Sequence, residues 1–515
     1  MSRVHGILTV LLVVLTIGAV PLFSFFGAGQ SIWLDEANSV RIASHNPADI
    51  INELRHDNNA PLYYLLLAIW TGALGTGEAV VRSLSAGFYI LSAIAVYLVA
   101  RSIYDAGTAG LCSLLYLVSR QAIKHAQNAR MYSLLALLGI LSTLLFLRIF
   151  LVRDRSGKGS ARKDSLLYVT VNILGTFTHY WFCFVLLSQA VAHLVLSSKA
   201  GLRRFWTLIV LSIVPFAVLW GPVLVSQIGS GATSWMVRPG AGALADTLLA
   251  FYGGGLRAPL VSVAVYAAFV LLVIVRLDRH KLALQRGQDL RAFIAQDRSL
   301  VFLIFFLTTL LGPLAVSQIK PIYVPGRYTI ISLFPLVLFV GPLVSRFGNR
   351  LLVPFFCCVL VLATAAGFVK IKMRPPQIDD RSAAEYIVAR ANRGDLLIFT
   401  GLSRVSVDYY LSRLHAEGRF AEVTFPAEVA THPGWMDMKE MLAGRDNLER
   451  EADSVAGGAY DALSGCAGAR IWVLYGSDNE INPILKQRLE GRFTLVDEKN
   501  LSGSSFDKIL VYRGS

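Results

Sequence analysis

Residues 79–100 read AVVRSLSAGFYILSAIAVYLVA, a run that carries one charge, Arg82, and is otherwise apolar or small. About 20 such residues in a helix cross a hydrocarbon core roughly 30 Å thick. Comparable runs recur along the chain, at about 6–26, 107–122, 131–150, 165–180, 181–198, 205–227, 258–276, 299–317, 328–345 and 351–369. The expectation is a mainly α, polytopic membrane protein with about eleven transmembrane helices. Composition agrees: of 515 residues, 55% are hydrophobic and 16% charged, and the mean hydropathy of +0.55 is too high for an ordinary soluble enzyme of this length. The first run, Gly6 to Phe26 behind Arg3, is long for a signal-peptide core and has no clear small-x-small cleavage site, so it reads as a retained helix.

The net charge of +14 follows from the excess of Lys and Arg on the inner side of membrane proteins and does not call for a nucleic-acid partner. With the N-terminus inside, the inner connections collect Arg101, the run from Arg148 to Lys163, Lys199, Arg203, Arg204, the run from Arg276 to Arg298, Arg346 and Arg350. The outer connections are poorer in Lys and Arg. This orientation, in a plasma (inner) membrane, turns the loop 27–78 and everything after about Lys370 to the extracytoplasmic side. ATP and nucleotide sugars are scarce there, so an enzyme on that face needs a substrate carried by the membrane itself. Of five cysteines, Cys112, Cys183, Cys357 and Cys358 lie in apolar runs and Cys466 stands alone, which gives neither a disulfide framework nor a zinc spacing.

Two domains are expected, a membrane domain over 1–370 and an extracytoplasmic α/β domain over 371–515. In the second, helix patterns at 381–391, 407–415 and 483–489 alternate with strand patterns at 395–400, 471–475, 493–497 and 508–512. The inner stretch RDRSGKGSARKD, 153–164, reads as a solvated loop.

The first outer loop concentrates ionisable residues at the membrane surface: Asp35 and Glu36, then His56 and Asp57, then Glu78 and Arg82. Carboxylates beside a bilayer lose hydration, which raises their pKa and makes them candidate bases. Plainer readings stand beside this one. Asp35 and Glu36 suit the first turn of a short helix, His56 and Asp57 a solvated loop, and Glu78 with Arg82 an i, i+4 ion pair. Arg130 with Tyr132, and Arg327 with Tyr328, suit an interfacial belt at span ends.

Five segments in order, WLDEANSV (33–40), DNNAPLYYLLLAIW (57–70), GEAVVRSLSA (77–86), ARMYSLLALL (129–138) and VPGRYTIISLFP (324–335), resemble the bacterial branch of the dolichyl-phosphate-mannose protein mannosyltransferase group, family 39. That group belongs to the GT-C membrane glycosyltransferases and includes transferases acting on lipid A and core saccharide. The resemblance covers residues 27–135 and the tenth span locally. It implies transfer of a sugar from a polyprenyl-phosphate donor to an acceptor hydroxyl on a lipid, glycan or protein, with inversion at the anomeric carbon. Asp35 would be the general base and Glu36 its support. Arg327, with Arg130 and Lys124 behind it, would bind the donor phosphate; Tyr63, Tyr132 and Tyr328 join the candidate site. Where relatives read His-Pro-Pro before Leu-Tyr-Tyr, this chain has Asn59-Ala60-Pro61, so a role carried by that histidine is absent or moved to His56.

No cofactor is called for, and a divalent metal at His56, Asp57 and Glu78 is not favoured because their spacing is loose. A transporter or flippase of lipid-linked saccharide is the alternative, but inverted repeats with matching broken spans are not found. A non-catalytic scaffold with a partner-binding tail leaves the acidic loop unexplained.

Overall fold

The computed structural model describes residues 28–151, 158–196, 199–229, 233–252, 297–346, 364, 379–431, 434–464, 468–476, 480–501, 503 and 505–514. The expected spans at 6–26, 258–276 and 351–369 lie outside the described residues.

The segment 28–78 folds into three helices rather than an extended loop: α1 (Leu34–Ala43), α2 (Pro47–His56) and α3 (Leu62–Leu74). Trp33 is extended (φ −106°, ψ 171°), and α1 then opens with Asp35 and Glu36 in its first turn, where acids favour the helix dipole. Asn46 caps α2 by accepting from the amides of Ala48 and Asp49, and Pro47 occupies the first turn, where its missing amide costs nothing. Gly75, at φ +89°, ends the apolar α3.

Next come α4 (Glu78–Arg101), α5 (Ala106–Leu117), α6 (Arg120–Ala126) and α7 (Tyr132–Phe146), which runs on as a π-helical turn to Leu151. They are followed by α8 (Lys158–Thr176), α9 (Phe182–Leu196), α10 (Lys199–Leu219), α11 (Gly221–Gly229), α12 (Ala243–Tyr252), α13 (Leu300–Val316) and α14 (Ile330–Arg346). Among the described residues three helical stretches, Glu78–Arg101, Tyr132–Leu151 and Gly201–Leu219, are long and apolar enough to cross a membrane alone, and six more are shorter and apolar. Ile69, Leu166, Val218 and Val225 are exposed on outer faces, where a bilayer would be the solvent, so the protein is a multi-pass membrane protein. Close packing between spans needs small residues: a Cβ at Gly341 of α14 would stand 2.3 Å from the Cys112 sulfur of α5.

Three sequence expectations are corrected here. The runs 107–122 and 205–227 are each two helices, broken at Val118–Ser119 and at Trp220. The basic stretch 153–164 is helical from Lys158 onward, because α8 begins inside it.

The C-terminal part is α/β, with α15 (Asp380–Arg390), β1 (Leu396–Thr400), α16 (Arg404–Arg413), β2 (Ala421–Phe425), α17 (Glu428–Thr431), α18 (Met438–Ala443), α19 (Arg445–Ser464), β3 (Arg470–Gly476), α20 (Asn482–Glu490), β4 (Phe493–Asn500) and β5 (Phe506–Gly514). The sheet order is β2-β1-β3-β5-β4, parallel through β2, β1 and β3 and antiparallel at β5 and β4. Alternate residues of the central strands enter two cores. Leu397, Phe399, Trp472 and Leu474 pack under α15 and α16, and Leu396, Ile398, Ile471 and Val473 pack under α19 and α20. The first of these cores also takes in Ile32 and Ala37, which brackets the Asp35–Glu36 turn with the C-terminal unit.

Candidate active site

Helix α1 presents its two acids in opposite directions. Glu36 is fully buried and accepts from Arg82 twice, from Nε at 2.8 Å and Nη2 at 2.5 Å, and from the Ala129 amide at 2.9 Å. Arg82, of α4, also donates to the carbonyls of Ala28, Gln30 and Ser31 at 2.7, 2.7 and 3.1 Å. This bidentate pair and its carbonyl ring fix the chain that leads into α1. The expected i, i+4 pair of Glu78 with Arg82 does not form, because Glu36 takes the Arg82 guanidinium and Glu78 turns to Arg381 at 2.5 Å and Arg413 at 3.7 Å.

Asp35 stays partly open, its side chain 16% exposed, and pairs with the guanidinium of Arg327, 22% exposed. Arg327 lies in the turn before α14 and donates from Nε to the Tyr132 hydroxyl at 2.8 Å. Three rings surround its guanidinium, Trp33 at 5.9 Å, Trp235 at 5.5 Å and Tyr328 at 5.6 Å. Lys124, on α6, has its amine pushed below the ordinary lysine value by desolvation, then by the charges of Arg327 and Arg120. Cations that crowd one another in this way favour an anionic ligand.

Arg130 is engaged in another way. It is buried, and its Nη1 donates to the Asp35 carbonyl at 3.3 Å, Ser39 Oγ at 3.2 Å and the Tyr64 hydroxyl at 3.1 Å, while Nη2 reaches Asn59 Oδ1 at 3.4 Å. Its guanidinium therefore holds the Asp35 backbone from below. Tyr63 lies a layer deeper: its hydroxyl meets Ser85 Oγ at 3.1 Å, and Ser85 donates to the Arg130 carbonyl at 3.2 Å.

Asp57, between α2 and α3, accepts from the Asn58 amide at 2.5 Å. Burial raises its carboxyl above the ordinary range, against the opposing pull of that amide, Arg130 and Asn59. A raised folded-state pKa means that the carboxyl's contribution to stability is present below the ordinary carboxylate range and is lost as pH rises through the raised value. Asp57→Asn should therefore melt no lower than wild type at pH 7, and its melting temperature should vary less with pH above about 4. A fall in melting temperature at pH 7 would contradict this. His56 is exposed on the last turn of α2 and does not join Asp57 and Glu78. Among the described residues no three His, Cys, Asp or Glu side chains gather as metal ligands.

Sequence reasoning missed His179, Trp181 and Trp235. His179 lies in the turn between α8 and α9, with its ring 5.1 Å from Tyr328 and 6.1 Å from Tyr132, and Nδ1 accepts from the Trp181 amide at 3.1 Å. With Nδ1 accepting, Nε2 is the nitrogen left to donate. The signal available was an ionisable residue, in TFTHYWF, at the join of two apolar runs.

Among solved structures the chain is similar to ArnT from Cupriavidus metallidurans in the apo state, with a TM-score of 0.61 at 12% identity over 97% of each chain. The similarity to the same protein bound to undecaprenyl phosphate is equal in TM-score at 13% identity, again over 97% of each chain. The apo oligosaccharyltransferase of Archaeoglobus fulgidus follows at 0.53 and 10% identity, over 100% of this chain and 75% of that one. At these identities the likeness is one of fold. No family model matches the sequence, and no curated protein matches it.

Proposed function

We propose that the protein is a glycosyltransferase that moves a sugar from a polyprenyl-phosphate donor to an acceptor hydroxyl on the extracytoplasmic face. The observation that carries this reading is the partly open Asp35 carboxylate paired with an aromatic-boxed Arg327, beside the crowded amine of Lys124. The binding of undecaprenyl phosphate by the similarly folded ArnT supports the donor class.

In the reaction the acceptor oxygen attacks the anomeric carbon and Asp35 takes the hydroxyl proton. The bond from that carbon to the phosphate oxygen breaks, and polyprenyl phosphate leaves with the electron pair. A sugar hydroxyl is a weak nucleophile, and a positioned carboxylate supplies roughly 10²–10⁴-fold. The departing phosphate gains charge, which Arg327 and Lys124 would meet. One displacement inverts the anomeric centre. The rings of Trp33, Trp235 and Tyr328 offer stacking faces for sugar, and His179 offers a hydrogen-bond donor at Nε2.

Arg327→Ala, assayed in nanodiscs with undecaprenyl-phosphate-linked hexoses and pentoses, should lower kcat/KM by about 10²-fold. Unchanged donor KM and kcat would remove Arg327 from the phosphate site. Translocation of the lipid-linked sugar with no transferred product would replace the transferase by a transporter.

A further inference from the structure

The turn that carries Asp35 is gripped from two sides, and only the membrane side belongs to the helical bundle. There, Arg82, the Ala129 amide and Arg130 hold Glu36 and the Asp35 carbonyl. On the opposite side the contacts among the described residues come from the C-terminal α/β unit. The Ile32 amide, three residues before Asp35, donates to the Tyr410 hydroxyl at 2.7 Å. The Arg381 amide donates to Ser31 Oγ at 3.3 Å, and its guanidinium reaches the Gly29 carbonyl at 2.6 Å and Glu78 at 2.5 Å. Tyr409 donates to the Thr76 carbonyl at 2.7 Å. Ile32 and Ala37, which flank Asp35, are buried in the apolar core under α15 and α16. Gly434 comes so close to α1 that a Cβ there would stand 2.4 Å from Asn38 Nδ2, and Asn38 lies one turn beyond Asp35.

We propose that the C-terminal α/β unit is a working part of the catalytic centre, with Tyr410 as a positioning residue that sets the place of Asp35 through the Ile32 amide. This rests on the transferase reading for its consequence, but not for the grip itself. A general base acts only from a near-attack position, and a displacement of about 1 Å costs up to about 10²-fold. Tyr410 is buried against this segment and its hydroxyl accepts from the Ile32 amide, so it acts through the backbone. Its loss should slow the chemical step and leave donor binding unchanged.

The test uses full-length protein in nanodiscs and the variant Tyr410→Phe, which removes one oxygen. Hydrogen–deuterium exchange across 30–37 should rise by about tenfold or more, kcat should fall by about 10- to 100-fold, and donor KM and the affinity for undecaprenyl phosphate should stay within about twofold of wild type. Glu78→Gln, which weakens the tie to Arg381, should shift the same quantities in the same direction and serves if Tyr410→Phe fails to fold. Unchanged exchange overturns the grip. Raised exchange with unchanged kcat overturns the positioning role, as does a rise in KM alone. If wild-type protein transfers no sugar from any donor, the transferase reading fails, and the exchange measurement alone then decides whether the grip exists.

Discussion

Replacing Asp35 with asparagine should lower sugar transfer by about 10²–10⁴-fold, with membrane insertion and melting unchanged. The amide has the shape of the carboxylate but cannot accept the acceptor's proton. The backbone at this position does not depend on the side chain, because its carbonyl is held by Arg130 and the flanking Ile32 and Ala37 are buried. Asparagine keeps a side-chain oxygen that can still accept from Arg327, which also retains the Tyr132 hydroxyl, so little stability is lost. Purified Asp35→Asn that turns over at a near-normal rate would remove Asp35 as the base.

Glu36→Gln should fail in the opposite way. Its carboxylate is enclosed and holds a buried guanidinium by two bonds and the Ala129 amide by a third. Removing one member of a buried pair leaves the other charge uncompensated, at about 3–5 kcal/mol. The carbonyls of Ala28, Gln30 and Ser31 still receive Arg82, which places the loss toward the lower end of that range. Thermal unfolding in detergent should therefore drop clearly for Glu36→Gln and not for Asp35→Asn. Equal melting of the two variants would deny that these neighbouring acids have different jobs.

The membrane bundle was legible because a span's apolar length is set by the bilayer, and the runs behind α4, α7 and α13 needed no tertiary information. The break at Trp220 was not legible, since apolar composition continues through it, whereas Ser119-Arg120-Gln121 did interrupt the other run. Strand β2, AEVTF, escaped because it is a short edge strand with only its last two residues buried, so it lacks the apolar run that revealed β1. Helix α19 carries Gly457 and Gly458 in its interior, which weakens its local helix signal.

At the site, motif order picked out Asp35, Glu36, Arg82, Arg130 and Arg327, but not who partners whom. Arg82 has Glu78 four residues before it and chooses Glu36, 46 residues away in sequence, because the fold brings α1 against α4. Spacing along one helix cannot encode a contact between helices. The grip of Tyr410 and Arg381 on the first segment was invisible for the same reason.

The most direct test of Asp35 as the base of an envelope sugar transferase is mass spectrometry of cell-envelope glycans, lipids and glycoproteins. Three strains are compared: one with the wild-type protein, one with Asp35→Asn at equal membrane abundance, and one without the protein. The expected result is a sugar mass increment on one acceptor that is present with wild type and missing from the other two. An increment that persists in the Asp35→Asn strain, or no difference between wild type and the strain lacking the protein, would contradict it.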